Sequence, residues 1–97
     1  MSIMELKYDI GTFVSVLTER KVLKGIVDRV KERRKELALT QRALAERSGV
    51  SYASIRRFER TGEIAFSSLL KIASVIGALA DFDAVFRSEI VRDLKEY

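Results

Sequence analysis

Five residues spread over fourteen positions constrain this chain most: Ala45, Gly49, Val50, Ile55 and Phe58, at offsets of 0, 4, 5, 10 and 13. Two short helices that cross steeply need a small residue where they touch. Ala45 supplies it, and Leu44 fills the core beside it. The turn between the helices needs a residue that accepts positive φ, which Gly49 does without steric cost. Val50 plugs the turn, while Ile55 and Phe58, three apart, anchor the second helix. Each residue type is common; the combination at this spacing is not.

The rest of the chain is written in helical spacing, without proline or internal repeat. Val22, Leu23, Ile26, Val27, Val30 and Leu37 fall on one stripe of a helix expected from Lys21 to Leu37, with Arg29, Lys31, Arg33 and Lys35 away from it. Thr40 is placed to cap a short helix from Gln41 to Arg47. Ser51 is placed to cap another from Tyr52 to about Arg60, which Gly62 closes. Ser67 and Ser68 precede a fourth helix carrying Leu69, Leu70, Ile72, Ala73 and Ile76 and ending at Gly77, and Asp81 is the cap expected for a fifth. Leu79, Phe82, Phe86, Ile90, Leu94 and Tyr97 recur at three and four, the pattern of a C-terminal amphipathic helix or helix pair. Ile3, Leu6, Ile10, Phe13 and Leu17 recur likewise, interrupted at Gly11 and Thr12, so that Thr12 is read as the cap of a separate helix from Phe13 to Arg20.

The fold class expected is all-α: a compact bundle of about five helices with a helix-turn-helix at 41–60, plus N- and C-terminal helical extensions. A chain of 97 residues has room for one core. The expected division is an N-terminal extension over 1–20, the helix-turn-helix domain over 21–80, and a C-terminal helix over 81–97 that closes the core or dimerises.

Charge narrows the function classes. Residues 20 to 60 hold thirteen basic side chains against five acidic, whereas both flanking segments are net acidic. A positive field concentrated in the middle of the chain fits a surface that meets a polyanion, although a solvated helix face would also carry it. The absence of cysteine and histidine removes disulfides, most zinc sites and imidazole catalysis. The chain is therefore read as not an enzyme, with no cofactor and no metal. Its longest uncharged apolar stretch, Ile72 to Ala80, is too short to cross a bilayer, so no membrane partner and a cytoplasmic location are expected.

Residues 21 to 77 carry a family resemblance. Val-Lys-Glu-Arg-Arg-Lys-Glu-Leu-Ala-Leu-Thr-Gln, then Leu-Ala-Glu-Arg-Ser-Gly-Val-Ser and Ile-Arg-Arg-Phe-Glu-Arg-Thr-Gly, resemble the XRE family, the Cro and phage-repressor type of helix-turn-helix. The phrase Arg-Phe-Glu-Arg-Thr-Gly with Leu-Leu-Lys-Ile-Ala is more narrowly similar to HipB-like antitoxin regulators encoded beside HipA-type kinases. The family resemblance implies that the third helix of the bundle reads the major groove of double-stranded DNA. It assigns Gln41, first in its helix, to a phosphate. Ser51, Tyr52, Ala53, Ser54 and Arg56 fall on the solvent face of the reading helix, where Arg56 can donate bidentately to guanine, and Arg57 is better placed for phosphate. Tyr52 and Ala53 stand where the family often has Gln or Ser, which leaves fewer polar base contacts and suits Tyr52 to a thymine methyl or a phosphate. Arg34 and Glu59 match the family's ion pair between its first and third helices.

Plainer roles compete at several of these positions. Ser51 caps a helix with or without DNA, Gln41 is a favourable helix starter, and Arg29, Lys31, Arg33 and Lys35 read as ordinary solvated residues. The implied function is a sequence-specific transcriptional regulator, a repressor occupying its operator as a homodimer. The alternatives are an antitoxin that also binds a HipA-like toxin, and a protein-interaction adaptor that has lost DNA binding.

Overall fold

The computed structural model describes residues 17–88, and its first element is fixed by a cap. The Thr18 hydroxyl accepts the Lys21 N–H at 3.2 Å, and α1 runs Glu19–Glu36. Glu19 in its first turn and Arg33, Arg34 and Lys35 in its last complement the helix dipole. The helix expected to end at Arg20 is thus corrected: Glu19 and Arg20 open α1, because Thr18 supplies a nearer cap. Residues 13–16 of that segment, and the stripe from Ile3 to Phe13, lie outside the described residues.

α1 stops in a left-handed turn. Leu37 is its C-cap, Ala38 takes φ 59, and the Leu39 N–H reaches back to the Arg34 carbonyl at 3.0 Å. That six-to-one closure satisfies a carbonyl the helix end would leave bare. The two short helices follow. The Thr40 hydroxyl accepts the Ala43 N–H at 2.9 Å to start α2, Gln41–Ser48. Gly49, at φ 77, turns the chain; the Ser51 hydroxyl then accepts the Ser54 N–H at 3.1 Å to start α3, Tyr52–Thr61, which Gly62 closes at φ 84. α4 spans Phe66–Val75 and α5 spans Leu79–Asp83. Among the described residues these five helices are the only regular structure, so the chain is all-α.

α2 packs on both α3 and α4, α1 packs on α3, and α5 rests on α4. Val27 and Val30 of α1, Leu39, Leu44, Val50, Ile55, Phe58, Ile72 and Ile76 form one buried cluster, with Ala45 partly buried against it. Phe58, Leu44, Ile55 and Ile72 are its largest fully buried side chains. Each is worth about 1.5–3 kcal/mol of apolar burial.

Three sequence expectations need correcting. Half the α1 stripe does not reach the core: Val22, Leu23 and Leu37 stay 42–49 % exposed, and the buried position one turn past Val30 is taken by Arg34. Ser67 and Ser68 do not precede α4 but sit in its first turn, after Ala65, and Asp81 lies inside α5 rather than capping it. Neither helix has a side-chain cap, so cap chemistry gave no signal for where they begin. The C-terminal stripe is broken as well. α5 ends at Asp83, Phe86 takes φ 67, and its side chain is 98 % exposed. Ile90, Leu94 and Tyr97 lie outside the described residues.

The two turn glycines differ in a measurable way. A Cβ at Gly49 meets nothing within 4 Å, whereas one at Gly62 comes 2.8 Å from Leu23 Cδ2. Gly49→Ala should cost about 1 kcal/mol from the left-handed backbone alone, and Gly62→Ala more than that. Urea unfolding of both variants measures the difference, and equal losses contradict the Leu23 contact.

Candidate nucleic-acid interface

Burying Ile55, Phe58 and Glu59 against the core leaves the opposite face of α3 to solvent. With 3.6 residues per turn, that face carries Ala53, Arg56, Arg57 and Arg60, all exposed. Tyr52 and Ser54, both half-buried, flank it on opposite sides. The sequence candidates therefore separate into two groups along one helix.

On the first side stands Tyr52. The Arg42 guanidinium from α2 lies over its ring, 4.0 Å from the centroid, and Arg56, one turn along α3, approaches at 5.6 Å. A guanidinium stacked on an aromatic face gains electrostatic attraction from the ring quadrupole. The stack restricts Tyr52 and draws cations from both helices to the start of α3. On the second side, the Ser51 hydroxyl donates to Ser54 Oγ at 2.8 Å. Arg57 is held by Glu63, both about two-thirds exposed. Exposed pairs of this kind are worth about 0–1 kcal/mol, so a phosphate can displace the carboxylate.

Behind Arg56 lies an open depression in which Lys31, Lys35, Arg56 and Arg60 surround Gln41 and a buried ion pair. Arg34 Nε donates to Glu59 Oε2 at 2.7 Å and Arg34 Nη2 to Oε1 at 3.0 Å. Arg34 Nη1 also donates to the Leu39 carbonyl at 2.7 Å, and Gln41 Nε2 to Glu59 Oε1 at 2.9 Å. Burial alone would raise the Glu59 pKa. The hydrogen bonds from Arg34 and Gln41, with the charges of Arg34 and Lys31, outweigh it and hold the carboxyl below its ordinary value of 4.5. One Gln41 amide hydrogen is thus committed to Glu59, leaving the other free to meet a ligand in the depression.

Arg42 and Arg60 were not singled out from the sequence, where Lys31 and Lys35 read as ordinary solvated residues. Lys31 with Lys35 and Arg56 with Arg60 each repeat at four, which places each pair on one helix face, but the sequence does not say that the two faces meet. Arg42 carried no signal, because the ring beneath it belongs to the next helix.

The pattern of a family described as Helix-turn-helix matches residues 30–81, from the middle of α1 into α5. The chain belongs to the XRE-type helix-turn-helix family. It is a DNA-binding transcriptional regulator of that type. No curated protein and no solved structure matches it. Among the described residues of this helix-turn-helix protein, no helix is long and apolar enough to cross a membrane.

The buried pair makes stability depend on acid. Because the folded-state pKa of Glu59 is depressed, its contribution is complete above about 4.5 and is lost as pH falls through the lower folded-state value. Glu59→Gln strands the Arg34 charge and should cost about 3–5 kcal/mol at neutral pH. Urea unfolding from pH 7 to 3 should show the gap between wild type and variant beginning to narrow below 4.5. A constant gap across that range excludes titration of Glu59 as the cause.

Proposed function

We propose that the chain is a repressor that occupies an operator as a homodimer, with α3 of each copy in the major groove of one half-site. The observation that carries this reading is the stacking of Arg42 and Arg56 about Tyr52 at the exposed N-terminus of α3. It supports a reading surface in which Arg56 donates to guanine O6 and N7 while the ring edge and Ala53 meet a thymine methyl. Gln41, Arg57, Lys31, Lys35 and Arg60 flank that surface and contact phosphates, which set register rather than sequence. Ser51 and Ser54, bonded to each other, order the first turn of the reading helix and lie closest to the base edges.

A dimer is argued from affinity: one short helix reaches few bases, and joining two half-sites about 34 Å apart multiplies affinity without new contacts. Exposed Phe66, Leu79 and Phe86 supply apolar surface for it. Occupying a promoter then represses by excluding polymerase. Residues 21–80 act as the DNA-binding unit in this reading, with 1–20 and 81–97 as its extensions.

Selection of bound sites from random DNA should return a palindrome with guanine and thymine in each half. A single unpaired half-site would count against the dimer, and no salt-dependent affinity for any sequence would favour an adaptor. Arg56→Ala should cost about 1–3 kcal/mol and relax one operator position. Replacing the half-site thymine with uracil removes only the methyl and should weaken wild type more than Tyr52→Ala, which keeps the Ala53 contact.

Arg57→Ala should reduce the slope of log affinity against log salt by about one. Glu63→Gln, which frees Arg57, should raise affinity at low salt. Filter binding or fluorescence anisotropy over a salt series measures both.

A further inference from the structure

A groove of about 220 Å³ runs between α1 and α5. Ile26 and Val30 of α1 face Ile76, Phe82 and Val85 across it. Val30 and Ile76 are almost fully buried, so the floor of the groove is the outer surface of the core, while Val85 remains 46 % exposed. Arg29 and Arg33 form the α1 lip, and Asp81 stands in the lining on the α5 side. Among the described residues, none of these three takes part in an ion pair. Val22, one turn before Ile26 on the same face, extends the apolar strip and is 44 % exposed.

We propose that this groove is the seat of the chain's own C-terminal segment, residues 89–97, Glu-Ile-Val-Arg-Asp-Leu-Lys-Glu-Tyr. Position is the first argument. Val85 lines the groove, and Phe86 at φ 67 turns the chain immediately afterwards, so only residues 86–88 separate the groove wall from Glu89. Three residues reach about 10 Å, enough to return across a single helix.

Pattern is the second argument. Glu89 and Asp93 repeat at four, as Arg29 and Arg33 do; Ile90 and Leu94 repeat at four, as Ile26 and Val30 do. On helical spacing the segment carries its acidic stripe beside its apolar stripe, with Arg92 and Lys95 turned away. The acids then meet the arginine lip and the apolar pair meets the floor. Asp81 opposes the acids weakly, one charge against two.

Docking would also explain how α5 is held. It is five residues long, has no side-chain cap, and rests on α4 as its main neighbour. The segment covers Phe82 and closes α5 against α1.

The test uses the full chain, which has no native cysteine. With a spin label attached to Lys95→Cys, methyl signals of Ile26, Val30 and Ile76 should broaden severalfold. The effect should disappear with Glu89→Lys/Asp93→Lys and return when Arg29→Glu/Arg33→Glu is added. Each charge-reversed pair alone should lower Tm by roughly 3 °C, with most of the loss recovered in the combination.

Broadening of an unlabelled chain by a spin-labelled copy would place a second molecule in the groove and overturn the proposal. The same broadening from a label at Ser2→Cys but not at Lys95→Cys would assign the groove to the N-terminal segment instead, and also overturn it. Simple additivity of the Tm losses, without recovery, rejects the proposed charge pairing.

Discussion

The position of α3 depends on one guanidinium. Arg34 grips Glu59 of α3 with two nitrogens and the Leu39 carbonyl with a third, while its own carbonyl accepts the Leu39 N–H. The end of α1, the turn into α2 and the inner side of α3 are therefore tied at a single residue. A buried ion pair seldom adds much net stability over a well-packed apolar pair, because both charges must leave water. What it adds here is geometry, since a bidentate fork tolerates little rotation of α3 about its own axis. Such a rotation would re-aim Arg56 and Tyr52, the residues that the proposed reading sets in the major groove.

Core and interface are two faces of the same short segments. Ile55 and Phe58 are buried so that Ala53, Arg56 and Arg57 are exposed, and Leu44 is buried so that Arg42 can lean over Tyr52. The cations reach this surface from three helices: Lys31 and Lys35 from α1, Arg42 from α2, and Arg56 and Arg60 from α3. The central excess of positive charge is a property of the assembled surface more than of any one helix.

How much of this was legible in the sequence varied with the kind of interaction. Caps made by a residue on its own helix could be read directly: Thr40, Ser51, Gly49 and Gly62 sit where their chemistry places them. α4 and α5 start without side-chain caps, so the serines expected ahead of α4 fall inside it, and Asp81, expected as a cap, lies inside α5. Periodicity placed Ile26, Val27 and Val30 on one face but could not tell that α3 covers only part of it. The face the helices cover also decides what the candidate site contains. Arg34 with Glu59 was legible through the family resemblance, whereas Arg42 over Tyr52 was not, because that contact joins residues whose side chains meet only after the turn forms. The narrower likeness to HipB-type regulators rests on Arg57-Phe58-Glu59-Arg60-Thr61-Gly62 with Leu69-Leu70-Lys71-Ile72-Ala73. In the structure Phe58 makes a core contact, Glu59 a buried ion pair and Gly62 a helix stop, which are demands of the fold, whereas Arg57 makes an exposed ion pair.

The stacking of Arg42 on Tyr52 changes when conformational entropy is lost. An arginine and a tyrosine free on a surface would each surrender rotamer freedom on meeting DNA, about 0.5–1.5 kcal/mol per side chain. Here much of that freedom is surrendered as the chain folds. In the proposed reading this surface meets DNA already ordered, and more of the contact energy remains to distinguish one base sequence from another.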